Sequence, residues 1–172
     1  MRDALSSILK SWDGKATTPL EEAHADYRDH PGFLVTLTEC CQTEELQRAS
    51  TWLLKHHFDQ KQGPLARDLT ALHIKSLPVL AHWETKLHVL QYLEHLTLTR
   101  DDKVALYTFV DRETSSENKL VRAWAYYGLA TLAQRFPEHK TAALKRLHAA
   151  QETESAGSIK VRIRKALQKL AA

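Results

Sequence analysis

Apolar residues return every three or four positions along most of this 172-residue chain, the repeat of a buried helix face rather than the alternation of a strand. The spacing predicts about ten helices, near 3–11, 19–28, 31–41, 44–60, 64–76, 82–97, 101–113, 118–136, 138–152 and 158–171. Helix punctuation agrees with these bounds. Thr43 precedes Glu44 and Glu45, Thr99 precedes Asp101 and Asp102, and Thr114 has Glu117 three residues on. Each is a pattern that satisfies free N–H groups at a helix start and places carboxylates against the positive end of the dipole. Gly63-Pro64, Phe136-Pro137 and Gly157-Ser158 mark joints. The connections are short, so consecutive helices are expected to pack as antiparallel hairpins.

The longer helices superpose without gaps. LQRASTWLLKHH from Leu46, TKLHVLQYLEHL from Thr85, VRAWAYYGLATL from Val121 and IKVRIRKALQKL from Ile159 start 39, 36 and 38 residues apart. Their first, fifth, ninth and twelfth positions share one face. The fifth holds Ser50, Val89, Ala125 and Ile163; the ninth holds Leu54, Leu93, Leu129 and Leu167; the twelfth holds His57, Leu96, Leu132 and Leu170. A shorter helix precedes each one. The unit is therefore a helical hairpin of roughly 38 residues, and such hairpins bury their apolar faces only by stacking.

Val121-Arg122, Ala125, Gly128-Leu129 and Leu132 resemble the second helix of a HEAT repeat, and Ile159-Lys160, Ile163, Ala166-Leu167 and Leu170 resemble another copy. The resemblance spans 31–172 as four hairpins of a HEAT or armadillo-like kind, with His57 standing where the motif has leucine. It implies an all-α, right-handed α-solenoid in a single domain, 1–172, with 1–30 as an N-terminal cap in which Trp12 covers the first repeat, or as a docking arm. It also implies a scaffold for binding rather than catalysis.

Composition narrows the alternatives. Five Gly and five Pro, beside 26 Leu and 21 Ala, cannot supply the turns of a β-sandwich or the glycine-rich loop of a dinucleotide-binding fold. No apolar run reaches the roughly 18–20 residues that span a bilayer, and the first residues lack a signal-peptide core, so a cytoplasmic protein with no membrane partner is expected. Cys40 and Cys41 are adjacent, too close in the chain for an ordinary disulfide, and are expected to pack as small hydrophobes. Charge is uneven. Residues 1–60 hold 6 basic and 10 acidic side chains, while 61–172 hold 18 and 11.

The second-helix face opposite the core carries the chemistry. Its candidate binding residues are Trp52, His56, His88, His95, Trp124, Tyr127, Arg162, Lys165 and Lys169. Aromatic rings and cations in one strip suit a protein or peptide partner, an acidic one in particular. They also suit nucleic acid, and the alkylpurine DNA glycosylases of related architecture are the corresponding alternative. The last helix holds Lys160, Arg162, Arg164, Lys165 and Lys169 with no acid, a basic patch or a solvated terminal cap. Ten histidines raise the question of metal, but no His-Glu-x-x-His motif occurs, and the His-Glu dipeptides of the iron-binding HEAT-repeat hydroxylases are missing. No nucleophile signature is found. The expectation is no catalytic residue, no metal site and no cofactor.

Overall fold

A computed structural model describes residues 1–171. Among them the regular structure is helical throughout: α1 (Arg2–Ser11), α2 (Thr18–Tyr27), α3 (Phe33–Cys40), α4 (Glu44–Asp59), α5 (Arg67–Ile74), α6 (Trp83–Tyr92), α7 (Lys103–Glu113), α8 (Lys119–Arg135), α9 (Lys140–Thr153) and α10 (Gly157–Ala171). No helix is long and apolar enough to cross a membrane among the described residues. The chain divides into two units, Met1–Thr97 and Leu98–Ala172.

In the first unit α3 and α4 form a hairpin, with α5 packed against α3 and α6 against α4. Helices α1 and α2 pack on α4, and α1 also on α3. Trp12 lies 6.5 Å from Trp52, ring to ring, with the Arg48 guanidinium 5.3 Å from its centroid. Gly14 makes the adjoining turn at φ +78, a conformation an L side chain rarely adopts. Arg48 Nη2 donates to the Gly14 carbonyl at 3.1 Å, and a Cβ on Gly14 would meet that guanidinium.

The second unit holds the hairpins α7–α8 and α9–α10, with α8 packed against both α7 and α10. Most of the expected inward positions are buried, while Leu46 and Leu167 are only half-buried. Ser50, Leu54 and His57 of α4, Val89 of α6, Val121, Ala125, Leu129 and Leu132 of α8, and Ile159, Ile163 and Leu170 of α10 are all buried. Each buried leucine or isoleucine contributes roughly 1.5–3 kcal/mol.

The ends of several helices differ from expectation, and each difference has a local cause. The segment 64–76 is helical only over Arg67–Ile74, because the Leu65 N–H donates to the His95 carbonyl at 2.9 Å and the Leu65 backbone bridges Leu96. The same bridge ends α6 at Tyr92. Leu93–His95 tighten into a 3-10 turn and Leu96 is extended, yet Leu93 and Leu96 stay buried. Thr114 closes α7 instead of opening α8; Asn118 is the cap, its Oδ1 accepting from Leu120 and Val121 at 2.9 and 3.3 Å. Thr99 and Asp102 do form a capping box, the Thr99 N–H donating to Asp102 at 2.7 Å. Cys40 and Cys41 are free and buried, and burial raises both thiols above their ordinary value.

Candidate functional site

The nine candidate residues fall into three environments. Four of them meet on the outer side of the α8–α10 pair. Trp124 and Tyr127 are one turn apart on α8, ring edge to ring face at 5.7 Å. From α10, the Arg162 guanidinium lies over Trp124 at 3.8 Å and reaches within 5.6 Å of the Tyr127 centroid. Lys169 Nζ sits 5.1 Å from the same Tyr127 ring. Lys165 is exposed on α10 between these two cations. The register follows from the helix repeat. Residues 162, 165 and 169 share one side of α10, while Ile159, Ile163, Ala166 and Leu170 are buried on another.

Trp124 and Tyr127 are half-buried, so the rings are neither spent in the core nor fully open. Burial against them pulls Arg162 below its ordinary pKa, partly opposed by Tyr127, but the side chain stays cationic at neutral pH. A guanidinium over a ring keeps its fork of N–H donors at its edge, directed at an incoming carboxylate or phosphate. Among the described residues Lys160, Arg162, Arg164 and Lys165 pair with no carboxylate. Rings of α8 and cations of α10 are thus held together along one strip, with the Arg162 guanidinium over Trp124.

A neighbouring basic residue has a different role. Arg122 donates to both Glu154 oxygens, at 2.8 and 3.4 Å, and to the Ser116 carbonyl at 2.6 Å; the Tyr126 hydroxyl donates to Glu154 at 3.3 Å. The two charged side chains are 21% and 11% exposed. This clamp ties α8 to the end of α9 and to the α7–α8 turn. Neither residue's partner is marked in the sequence, because Arg122 and Glu154 are 32 positions apart and Glu154 carries no periodic signal.

The first unit treats its candidates differently. Trp52 and His56, one turn apart on α4, stack on each other at 5.0 Å and 11°, and His56 meets the buried His24 of α2 edge-on at 4.8 Å. His95 stacks on Phe58 at 5.0 Å and 4°. His88 is not on an open face at all: it is 9% exposed. The Thr51 hydroxyl gives its one proton to the Gln47 carbonyl at 2.8 Å, so His88 Nδ1–H donates to Thr51 Oγ1 at 3.0 Å. The side of α6 that faces outward on a helical wheel is here covered by α4.

Histidine shapes the interior of this unit. His24 Nε2 and His57 Nδ1 share a hydrogen bond at 3.2 Å, and His73 Nε2 bonds the Tyr92 hydroxyl at 2.8 Å. Burial lowers all of these. His24 falls to about 4 with help from His56 and His57, His73 to about 4, and His88 to about 3 with Lys55 and Arg48 adding to the effect. His57 is lowered by burial and then by His56. His57 thus fills its expected leucine position as a neutral, hydrogen-bonded core residue. Among the described residues no three His, Cys, Asp or Glu side chains are placed to hold a metal ion. The first unit also has an open groove of about 930 Å³ between the starts of α4 and α6, lined by Glu44, Glu45, Arg48, His82 and Thr85 among others. Arg48 is bound there by Glu84.

No family model, no curated protein and no solved structure matches this chain.

Proposed function

We propose that this protein is a non-enzymatic binding scaffold whose α8–α10 strip holds an acidic protein or peptide. The single observation that carries the reading is the Arg162 guanidinium 3.8 Å over Trp124, with Tyr127 and Lys169 beside it and no carboxylate on Arg162. A cation that is oriented, partly desolvated and unpaired binds an anion more favourably than a solvated one. Trp124 and Tyr127 supply contact area at low entropic cost. Arg162, Lys165 and Lys169 set the direction of approach.

We extend this to a HEAT-like solenoid working in the cytoplasm, each unit contributing two hairpins. The side-by-side packing of α4 with α6 and of α8 with α10 supports it. The experiment is a fluorescence-anisotropy titration of a labelled, glutamate-rich helical peptide against the full chain and its Arg162→Glu variant, at low and high salt. Salt-sensitive binding that falls at least about tenfold in the variant, the scale of a lost charge-assisted contact, supports the strip. Equal binding by both proteins overturns it. A single-stranded oligonucleotide in a parallel arm tests nucleic acid: tighter binding to the oligonucleotide than to the peptide would replace the acidic partner with a phosphate backbone.

A further inference from the structure

We infer that the acidic partner of the α8–α10 strip is helix α2 of a second copy of this chain, laid antiparallel along α10. The inference rests on the strip being an anion-facing surface; what it adds is the occupant.

Helix α2 buries Leu20, Ala23 and His24 against its own unit. The opposite side exposes Glu22 and Asp26, and Asp29 is exposed in the turn that follows. At 100° per residue Glu22 and Asp26 lie within about 40° of each other on α2, and Asp29 lies past the helix end at Tyr27. Arg162, Lys165 and Lys169 fall within an arc of about 60° on α10. The axial spacings match in reverse order. Along α10 the cations are three and then four residues apart, about 4.5 and 6 Å at 1.5 Å per residue. Along α2 Glu22 and Asp26 are four apart, the spacing of Lys165 and Lys169, and Asp29 follows in the turn past the helix end. An antiparallel pair therefore sets Glu22 opposite Lys169 and Asp26 opposite Lys165, with the turn that carries Asp29 running on toward Arg162.

The acids are available for this. Glu22 and Asp26 form no ion pair among the described residues, and Asp29 has only its exposed neighbour Arg28 at 3.6 Å. The net charges agree as well. The first unit holds 10 basic and 13 acidic side chains, a net of −3, and the second holds 14 and 8, a net of +6. Because the surface on one copy differs from the surface it meets on the next, the contact is heterologous and generates a ring or an open row of copies.

Sedimentation velocity on the full chain tests this by charge reversal. At low salt the wild type is expected to show a weight-average mass that climbs with concentration to about twofold the monomer or beyond. It should return to monomer near 1 M salt, where the screening length is about 3 Å. The variant Glu22→Lys, Asp26→Lys and the variant Arg162→Glu, Lys165→Glu should each stay monomeric, since each carries like charges on both surfaces. Mixed together they should associate, because reversed α2 then faces reversed α10. If either double variant fails to fold by circular dichroism, the milder Glu22→Gln, Asp26→Asn protein takes its place and should show at least about fivefold weaker association. A wild type that stays monomeric at low salt overturns the inference, as does a mixture of two folded double variants that does not associate. The glutamate-rich peptide separates the two levels. Peptide binding without self-association removes the second copy as occupant and leaves the strip standing, whereas loss of both removes both.

Discussion

The two units are both all-helical and fill their interiors with different chemistry. Eight of the ten histidines lie in 1–97, and four of them, His24, His57, His73 and His88, are buried among Thr36, Thr38, Gln47, Ser50, Thr51, Thr70, Ser76 and Thr85. Among the described residues the second unit buries Asp102, Glu113, Thr114 and Tyr126 beside Leu, Val, Ile, Ala and Phe. Trp124, Tyr127 and the cations of α10 are half-buried or exposed instead. A polar interior is tolerated where most of its hydrogen bonds close, Ser50 Oγ and His73 Nδ1 being without a partner here, and it makes a unit depend on the protonation state of its core. An apolar interior leaves the titratable and aromatic residues free for the outer face.

Acid should separate the units most strongly. Each buried histidine is neutral when folded and takes up its proton near 6.5 once unfolded, so the unfolded state binds more protons as pH falls. Stability of the first unit is fully present above about pH 6.5 and is lost as pH drops toward the folded values of about 4 for His24 and His73 and about 3 for His88. His73 alone accounts for about 3 kcal/mol at pH 4. Hydrogen exchange read by mass spectrometry from pH 7 to 4 should show amides of 1–97 losing protection ahead of those of 98–172. Simultaneous loss would erase the distinction.

Ion pairs give the next contrast. Arg122→Ala strands a Glu154 carboxylate that is only 11% exposed and should cost about 3 kcal/mol in urea unfolding of the second unit. Arg48→Ala removes the Glu84 pair and the Trp12 contact of the first unit, but those charged groups are 35% and 23% exposed, and the loss should stay near 1 kcal/mol. Equal costs would mean that burial does not distinguish the two clamps. Arg162→Ala is expected to be smaller again, about 0.5–1 kcal/mol by thermal melt, while abolishing most peptide binding. A large stability loss there would make the strip a packing device instead of a binding surface.

Much of this was legible beforehand, and the failures have a common origin. Most inward positions of the four template segments follow from the helix period, and so does the shared side of α10 that carries Arg162, Lys165 and Lys169; Leu46 and Leu167 are only half-buried. Trp124 and Tyr127 are apolar neighbours in a helix hydrophobic nearly all round, and nothing in that pattern says whether they are covered. The side chain of Arg162 decides it. His88 looks outward on a wheel and is inside, because α4 lies against the side of α6 that the wheel leaves open. The early end of α6 depends on Leu65, some thirty residues upstream, whose N–H takes the His95 carbonyl.

The sequence by itself determined that this chain is helical, where most helices lie, and most of the apolar positions that turn inward, because hydrophobic period, caps and breakers act within a few residues. Only the tertiary structure decided which aromatic rings meet which cations, which histidines are neutral and enclosed, and where a ladder bond from a distant segment stops a helix. Those are properties of pairs far apart in the chain, set by packing, desolvation and hydrogen-bond closure.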